Sequence, residues 1–332
     1  MKKFLNNPSN FVEESLAGIL AAHKRQLKCH SDDQCAVSRA VFPSPDKVSI
    51  VTGGGFGHLP VFMGYVGEGL CDGAAVGNVF SSPSSDTIFR VTQSVPHGGG
   101  VVYLCGNYMG DMMNFEMAQE LAQAEGIETS IVVVSDDASS APRLGWKDRR
   151  AISGIVFAFK IAGAAAQLML PLPEVVRVTQ KAIAQMSSFG VSFEPCQLPS
   201  TSHPIYNIGE DEMELGVGIH GERGVIRTKW QPSNEIAAIV ADKLADDLSL
   251  HEGAEVAVLV NGLGATCQEE QFIYYHDIEK RLTHRGIQVT RSYVGEYVTT
   301  MEMSGAMVTI MRLDDELTNL LDQPARTPFV SF

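Results

Sequence analysis

The sequence predicts an α/β protein built of two α/β domains, the first with a largely parallel sheet flanked by helices. Three observations carry this. Short apolar runs at 48–51, 101–105 and 131–134 each end in a glycine-rich or polar loop. Segments with helical apolar spacing separate them. The 332 residues, 45% of them hydrophobic, suffice for two cores of ordinary domain size.

The elements follow in order. Residues 11–22 read as a helix with Val12, Leu16, Ile19 and Leu20 on one face. A buried strand at 48–52 runs into Thr52-Gly53-Gly54-Gly55-Phe56-Gly57-His58-Leu59-Pro60. Residues 64–69 and 72–75 read as tight segments, and the loop 81–86 caps a helix over about 86–93. Gly98-Gly99-Gly100 precedes the strand 101–105, and Asn107-Tyr108-Met109-Gly110-Asp111 is a loop before a helix over 114–124. The third strand ends at Ser135-Asp136-Asp137. Residues 151–167 and 172–185 read as helices, and a domain boundary falls at 187/188, giving units 1–187 and 188–332. The second unit reads as smaller and separate: a glycine loop at 216–222, a helix at 233–248, a strand at 256–260, a helix at 269–285, and strands near 287–293 and 306–312.

The net charge of −14 and the absence of a Lys/Arg stripe exclude a nucleic-acid partner. Six cysteines without a CxxC pair give neither a zinc site nor a disulfide framework, and Cys71 and Cys105 read as core residues. The segment Met1 to Pro8 starts basic but has no continuous apolar core, so it does not read as a signal peptide. No apolar run reaches about 18 residues. A soluble cytoplasmic protein is expected, with no membrane contact.

Ligands of parallel α/β sheets bind beyond the carboxyl ends of the strands, where His58, Asp111 and Asp136 fall. No phosphate-binding GxxxxGK[ST] is present, and position six of the loop from Gly53 is His58, which spoils GxGxxG. His58 therefore reads as a site residue, against a structural histidine. His220, flanked by Gly216, Gly218 and Gly221, reads as an uncovered imidazole able to act as nucleophile or base, against a capping histidine. Asp111 reads as a general base or as the N-cap of the helix from Asn114. Asp136-Asp137 reads as a solvated loop rather than a ligand pair. Met109, Met112, Met113 and Met117 read as core and pocket lining. The remaining seven histidines read as surface or structural.

Several segments together resemble the K subunit of dihydroxyacetone kinases. They include the 53–58 loop, Ser82-Pro83, Asn107 to Asp111, Asn114-Phe115, Arg149-Arg150 and Lys160 to Ala166, then Glu212 to Glu222 and Asn261 to Thr266. The resemblance implies that His220 adds to a ketone carbonyl and holds the substrate as a hemiaminal, which glycerol, lacking a carbonyl, cannot form. It implies that His58 and Asp111 bind and activate the hydroxyl that takes the phosphoryl group, and that Gly55, Phe56, Gly57, Ser82 and Gly106 line the substrate. Nucleotide and magnesium are then expected on a partner L subunit, with no cofactor or metal on this chain, and the chain is expected to form a homodimer. The departures are Phe56 for serine, Leu59 for glutamate and Gly106 for a substrate-contacting lysine. Asp148 and Ala151 stand for glycines beside the arginine pair, and Arg223 for proline. They leave a second reading open, a non-catalytic co-activator paralogue that senses the ketose and acts on a transcription factor.

Overall fold

The computed structural model describes residues 3–332; Met1 and Lys2, which open the basic N-terminal stretch, lie outside the described residues. Helix α1 (Phe11–Ala22) buries Leu16, as its apolar spacing predicts. It is followed by an antiparallel hairpin that the sequence reading lacks, β1 (Leu27–His30) and β2 (Asp33–Arg39). Its residues are too polar to form an apolar run. Next come β3 (Ser49–Phe56), β4 (Gly73–Val79), α2 (Ser85–Ser94), β5 (Val101–Gly106), α3 (Met109–Ala124) and β6 (Thr129–Val134). β4 occupies the supposed tight segment at 72–75; its glycines and alanines let β2, β3 and α2 pack closely around it. The order is β1-β2-β4-β3-β5-β6, and the last four strands are parallel.

Strand alternation divides this sheet's side chains between two cores. Ile50, Val102, Leu104, Val132 and Val134 face one cluster, while Val51, Val101, Tyr103 and Cys105 face another beneath α2 and α3.

Two helices, α4 (Ile155–Gln167) and α5 (Leu172–Ala184), lead to the second sheet. α4 starts later than the expected 151 because the Asp136 carboxylate accepts the N–H groups of Ile152 and Gly154 at 2.9 and 2.7 Å and holds 151–154 as its entry. The second half contains β7 (Met186–Glu194), β8 (Glu212–Leu215), β9 (Ile226–Lys229), α6 (Ser233–Asp247), β10 (Glu255–Gly262), α7 (Gln268–His284), β11 (Gln288–Gly295), β12 (Ser304–Arg312) and α8 (Asp315–Leu321). Its sheet runs β11-β10-β12-β7-β8-β9, antiparallel except for β10 with β11. α6 and α7 cover one face.

The second unit is shorter in sequence, but its sheet also has six strands, and it is not separate. The 187/188 division falls inside β7 rather than in a linker. One hydrophobic cluster takes Leu104 from the first sheet, Phe157 and Phe159 from α4, and Leu259 and Met307 from the second sheet. Every residue of α4 from Ile155 to Ala166 is buried. A helix apolar on all sides needs neighbours on all sides. Phe157 meets Tyr293 of β11 with ring centres 5.7 Å apart, and Ser153, just before α4, shares a 2.7 Å hydrogen bond with Thr309 of β12. Buried Lys160 donates to the carbonyls of Leu320 and Gln323 at the end of α8.

One buried ion pair ties β3 to the loop before β4. Asp72, 1% exposed, accepts from Lys47 Nζ at 2.6 Å and from the Ile50 N–H at 2.9 Å. Removing one member leaves an uncompensated buried charge, so Asp72→Ala is expected to destabilise the fold by about 3–5 kcal/mol. Urea unfolding measures this.

Candidate active site

Glycines let the end of β3 approach other chain segments rather than leaving open space. A Cβ on Gly55 would lie 2.6 Å from the Ser81 nitrogen. Gly57, at φ +100°, admits the Phe80 ring, which a Cβ there would meet at 2.9 Å. The turn carrying Phe80, Ser81 and Ser82 therefore rests on the glycine loop, and the Phe80 ring stacks on His58 with centres 4.7 Å apart. Phe62, Phe80 and Met301 around this loop all have positive φ, of 65°, 55° and 54°. Strained backbone on non-glycine residues concentrates at functional sites.

The loop 216–222 comes to the same place. His220 lies 4.8 Å from His58 and 4.5 Å from Tyr108 between ring centres, edge-on to both. Its Nδ1 faces Glu222 Oε1 at 3.4 Å, and its backbone N–H donates to Glu222 Oε2. Burial alone would raise the Glu222 carboxyl, but the hydrogen bonds and charge of His220 more than offset this and hold it near 2. Arg150 continues the chain, 3.8 Å from Glu222 and 2.7 Å from Asp137. With Nδ1 turned to a carboxylate, the His220 nitrogen left free is Nε2.

His58 is fully buried, and its Nδ1 lies 2.8 Å from the carbonyl of Thr299. A carbonyl only accepts, so Nδ1 carries the proton and Nε2 is an acceptor. Burial and the neighbouring His220 push the ring down to about 3, so it is neutral at physiological pH. Asp111, 4% exposed, sits in the first turn of α3. Burial raises it to about 6, although the Ser82 hydroxyl and the His220 charge pull the other way. Its place inside α3, which starts at Met109 rather than 114, rules out the N-cap reading.

His58 Nε2 and Asp111 Oδ1 are both buried and have no hydrogen-bond partner. Buried polar atoms are nearly always satisfied. Two orphaned acceptors beside one free imidazole nitrogen form a site for a ligand that donates hydroxyl protons.

Other expected site residues lie differently. The Phe56 side chain points away from the histidines into the core beneath α1, 5.8 Å from Phe11, and Leu59 packs against the same cluster. Neither departure alters the histidine cluster through its side chain. Gly106 is at the end of β5, where a Cβ would meet the Tyr108 ring at 3.0 Å and the Ala151 Cβ at 3.1 Å. Asp136 and Asp137 are fully buried, one holding the entry to α4 and the other Arg150, so they are not a solvated loop. Met112 is partly buried, but Met109, Met113 and Met117 are exposed on α3 and do not line the core. Among the described residues no group of three or more His, Cys, Asp or Glu side chains could hold a metal ion. The apolar cavity of about 220 Å³ lined by Phe193, Trp230 and Tyr274 includes none of the cluster residues; the unsatisfied polar atoms, rather than cavity size, identify the site. Sequence reasoning missed Tyr108, Phe80, Glu222 and the 297–301 segment as parts of the site. Only Tyr108 and Glu222 lay within strings already singled out.

Residues 17–329 match the Dak1 domain. The chain belongs to the Dak1 family. It is 39% identical to the protein of Listeria innocua serovar 6a named PTS-dependent dihydroxyacetone kinase 2, dihydroxyacetone-binding subunit DhaK, over 99% of both chains. It is 40% identical to a D-erythrulose kinase of Mycolicibacterium smegmatis, over 99% of this chain and 56% of that one. Among solved structures, the dihydroxyacetone kinase operon co-activator Dha-DhaQ superposes with a TM-score of 0.88 at 28% identity, covering 95% of this chain and 96% of that one. The dihydroxyacetone kinase of C. freundii in complex with AMP-PNP and Mg2+ superposes with a TM-score of 0.87 at 29% identity, covering 98% of this chain and 60% of that one.

In this Dak1 chain two departures from the resembling subunits touch. The resemblance implies a lysine at position 106 and a glycine at 151; here a Cβ on Gly106 would lie 3.0 Å from the Tyr108 ring and 3.1 Å from the Ala151 methyl. Gly106→Lys is expected to cost about 1–3 kcal/mol by overpacking. Adding Ala151→Gly should recover about 1 kcal/mol or more of that loss, read as the coupling in a double-mutant cycle of unfolding free energies.

Proposed function

We propose that this chain is the ketose-binding subunit of a dihydroxyacetone-type kinase. It holds dihydroxyacetone, or a related short ketose such as erythrulose, on His220 and presents a hydroxyl to a nucleotide-carrying L-type partner. The observation that carries this is the orphaned pair, His58 Nε2 and Asp111 Oδ1, beside the free Nε2 of His220.

The chemistry follows from the atoms. The His220 Nε2 lone pair bonds to the ketone carbon and the C=O π bond breaks. The carbonyl oxygen takes one proton, and the imidazole loses one from Nδ1. Glu222 faces that nitrogen and stabilises the positive charge the ring carries until the proton leaves. Every substrate atom stays in the hemiaminal. The captured ketose then offers a hydroxyl to Asp111, which accepts its proton as the oxygen attacks the phosphoryl group, with neutral His58 as a second acceptor. Nucleotide and magnesium belong to the partner in this reading, as does the phosphorus chemistry. The uncovered strand β9 at one edge of the second sheet, with its own Ile226 and the flanking Val225 and Trp230 exposed, supports a homodimer. The acidic chain has no helix long and apolar enough to cross a membrane among the described residues, which supports a cytoplasmic setting.

A second reading, a ketose sensor that captures without turnover, draws on the likeness to the Dha-DhaQ co-activator, which the dihydroxyacetone kinase of C. freundii equals at a TM-score of 0.88. The two differ in what they need: capture requires His220, whereas phosphoryl transfer also requires Asp111.

Intact-protein mass spectrometry after incubation with dihydroxyacetone or erythrulose is expected to show the full mass of one ketose. His220→Ala should abolish it, and an adduct retained in that variant defeats the assignment. Asp111→Asn should keep the adduct while losing about 10²–10⁴-fold in ketose phosphate formation with an L-type subunit. Capture without any turnover by the parent protein supports the sensor.

The acidic limb of turnover should lie near pH 6, where Asp111 ionises. Below that pH the base is protonated and the rate falls; above it the rate levels. The same raised pKa stabilises the fold fully below the ordinary aspartate value of 3.8, and this contribution is lost as pH rises through about 6. A rate profile without a limb near 6 removes Asp111 as the base.

A further inference from the structure

We propose that the exposed stripe Met109, Met113, Met117 and Leu121 on α3 is the docking surface for the protein that carries the phosphoryl donor. The inference rests on the kinase reading and locates the partner's footprint.

The four side chains are 81%, 58%, 52% and 42% exposed. Their spacing of four residues puts them on one face, one above the other, along about 18 Å of helix. The opposite face of α3 is anchored by Phe115, Ala118 and Ala122, so the helix is already packed and the stripe is left over. A continuous apolar stripe on a soluble surface marks an interaction site, and methionine, flexible and polarisable, is frequent at such surfaces.

Position selects the occupant. The stripe starts two residues before Asp111, in the turn that carries the proposed base, and Gly110 between them sits against Ser82. A protein delivering a phosphoryl group to a hydroxyl held at Asp111 must cover the start of α3. The relatives agree in size. This chain covers 60% of the C. freundii kinase solved with AMP-PNP and Mg2+, so that molecule carries a further part alongside the shared one. Charge narrows the chemistry. Exposed Glu116 and Glu120 accompany the stripe, and α3 contains no lysine or arginine. The partner surface is therefore an apolar groove rimmed by Lys or Arg, the form that receives an amphipathic helix through anchors at i, i+4 and i+8.

The test uses the full chain with Met113→Glu and Met117→Glu together, leaving Asp111, His58 and His220 untouched. The probe is an L-type nucleotide-binding kinase subunit loaded with ATP and magnesium. Half-saturation by the partner should rise about tenfold or more, while turnover at saturating partner and the mass of the ketose adduct stay as in the parent. Met113→Leu/Met117→Leu, which keeps the apolar face, should restore the parent half-saturation. An unchanged half-saturation in the double glutamate variant overturns the docking surface and leaves the kinase reading standing. If the parent chain captures ketose but forms no complex with the L-type subunit in native mass spectrometry, both fall together and only capture survives.

Discussion

The site depends on one short strap, Tyr297 to Met301. The Thr299 N–H donates to the His58 carbonyl at 3.2 Å, and the Thr299 carbonyl accepts from the His58 ring. The Met301 N–H donates to the Gly57 carbonyl at 2.9 Å. The Thr300 hydroxyl donates to the carbonyl of Ile219, the neighbour of His220, at 2.8 Å. The strap thus grips the glycine loop of the first half and the histidine loop of the second at once. Its own position is set by Asn261 at the end of β10, whose side chain accepts from the N–H groups of Tyr297 and Val298 and donates to the Val298 carbonyl. Without this arrangement two imidazoles far apart in the chain would have no reason to meet.

Burial then sorts the protons. The same loss of water that keeps His58 neutral raises Asp111 toward neutrality, while His220 holds Glu222 charged. Two acceptors of hydroxyl protons and one carboxylate-facing nucleophile result. Each role comes from surroundings rather than residue type: Asp136 is raised to about 6 by burial as well, yet its oxygens are occupied by Ile152 and Gly154, and it holds backbone.

Much of this was legible in the sequence where a local pattern had a local cause. The apolar spacing of α1 gives its observed limits, and the runs at 101–105 and 131–134 lie inside β5 and β6. The histidines and Asp111 stood out because glycines and strand ends surround them. The hairpin β1–β2 and the short β8 and β9 were hidden because neighbouring strands, rather than their own apolar runs, hold them in place. The turn of Phe56 away from the histidines into the core beneath α1 and the exposure of the α3 methionines depend on which face of each element the fold covers, which composition does not state. The strap was illegible for a further reason: it works through backbone groups and threonine hydroxyls, which carry no motif.

The complete burial of α4 bears on how the chain comes into being. As residues 155–166 leave the ribosome, the first sheet is already made but the strands β10 to β12 that cover the other side are not. A wide greasy surface then stays open until nearly the whole polypeptide has been translated. The first half made by itself would therefore leave one flank of α4 open to water, since Leu259 and Met307 of the second sheet complete its cover.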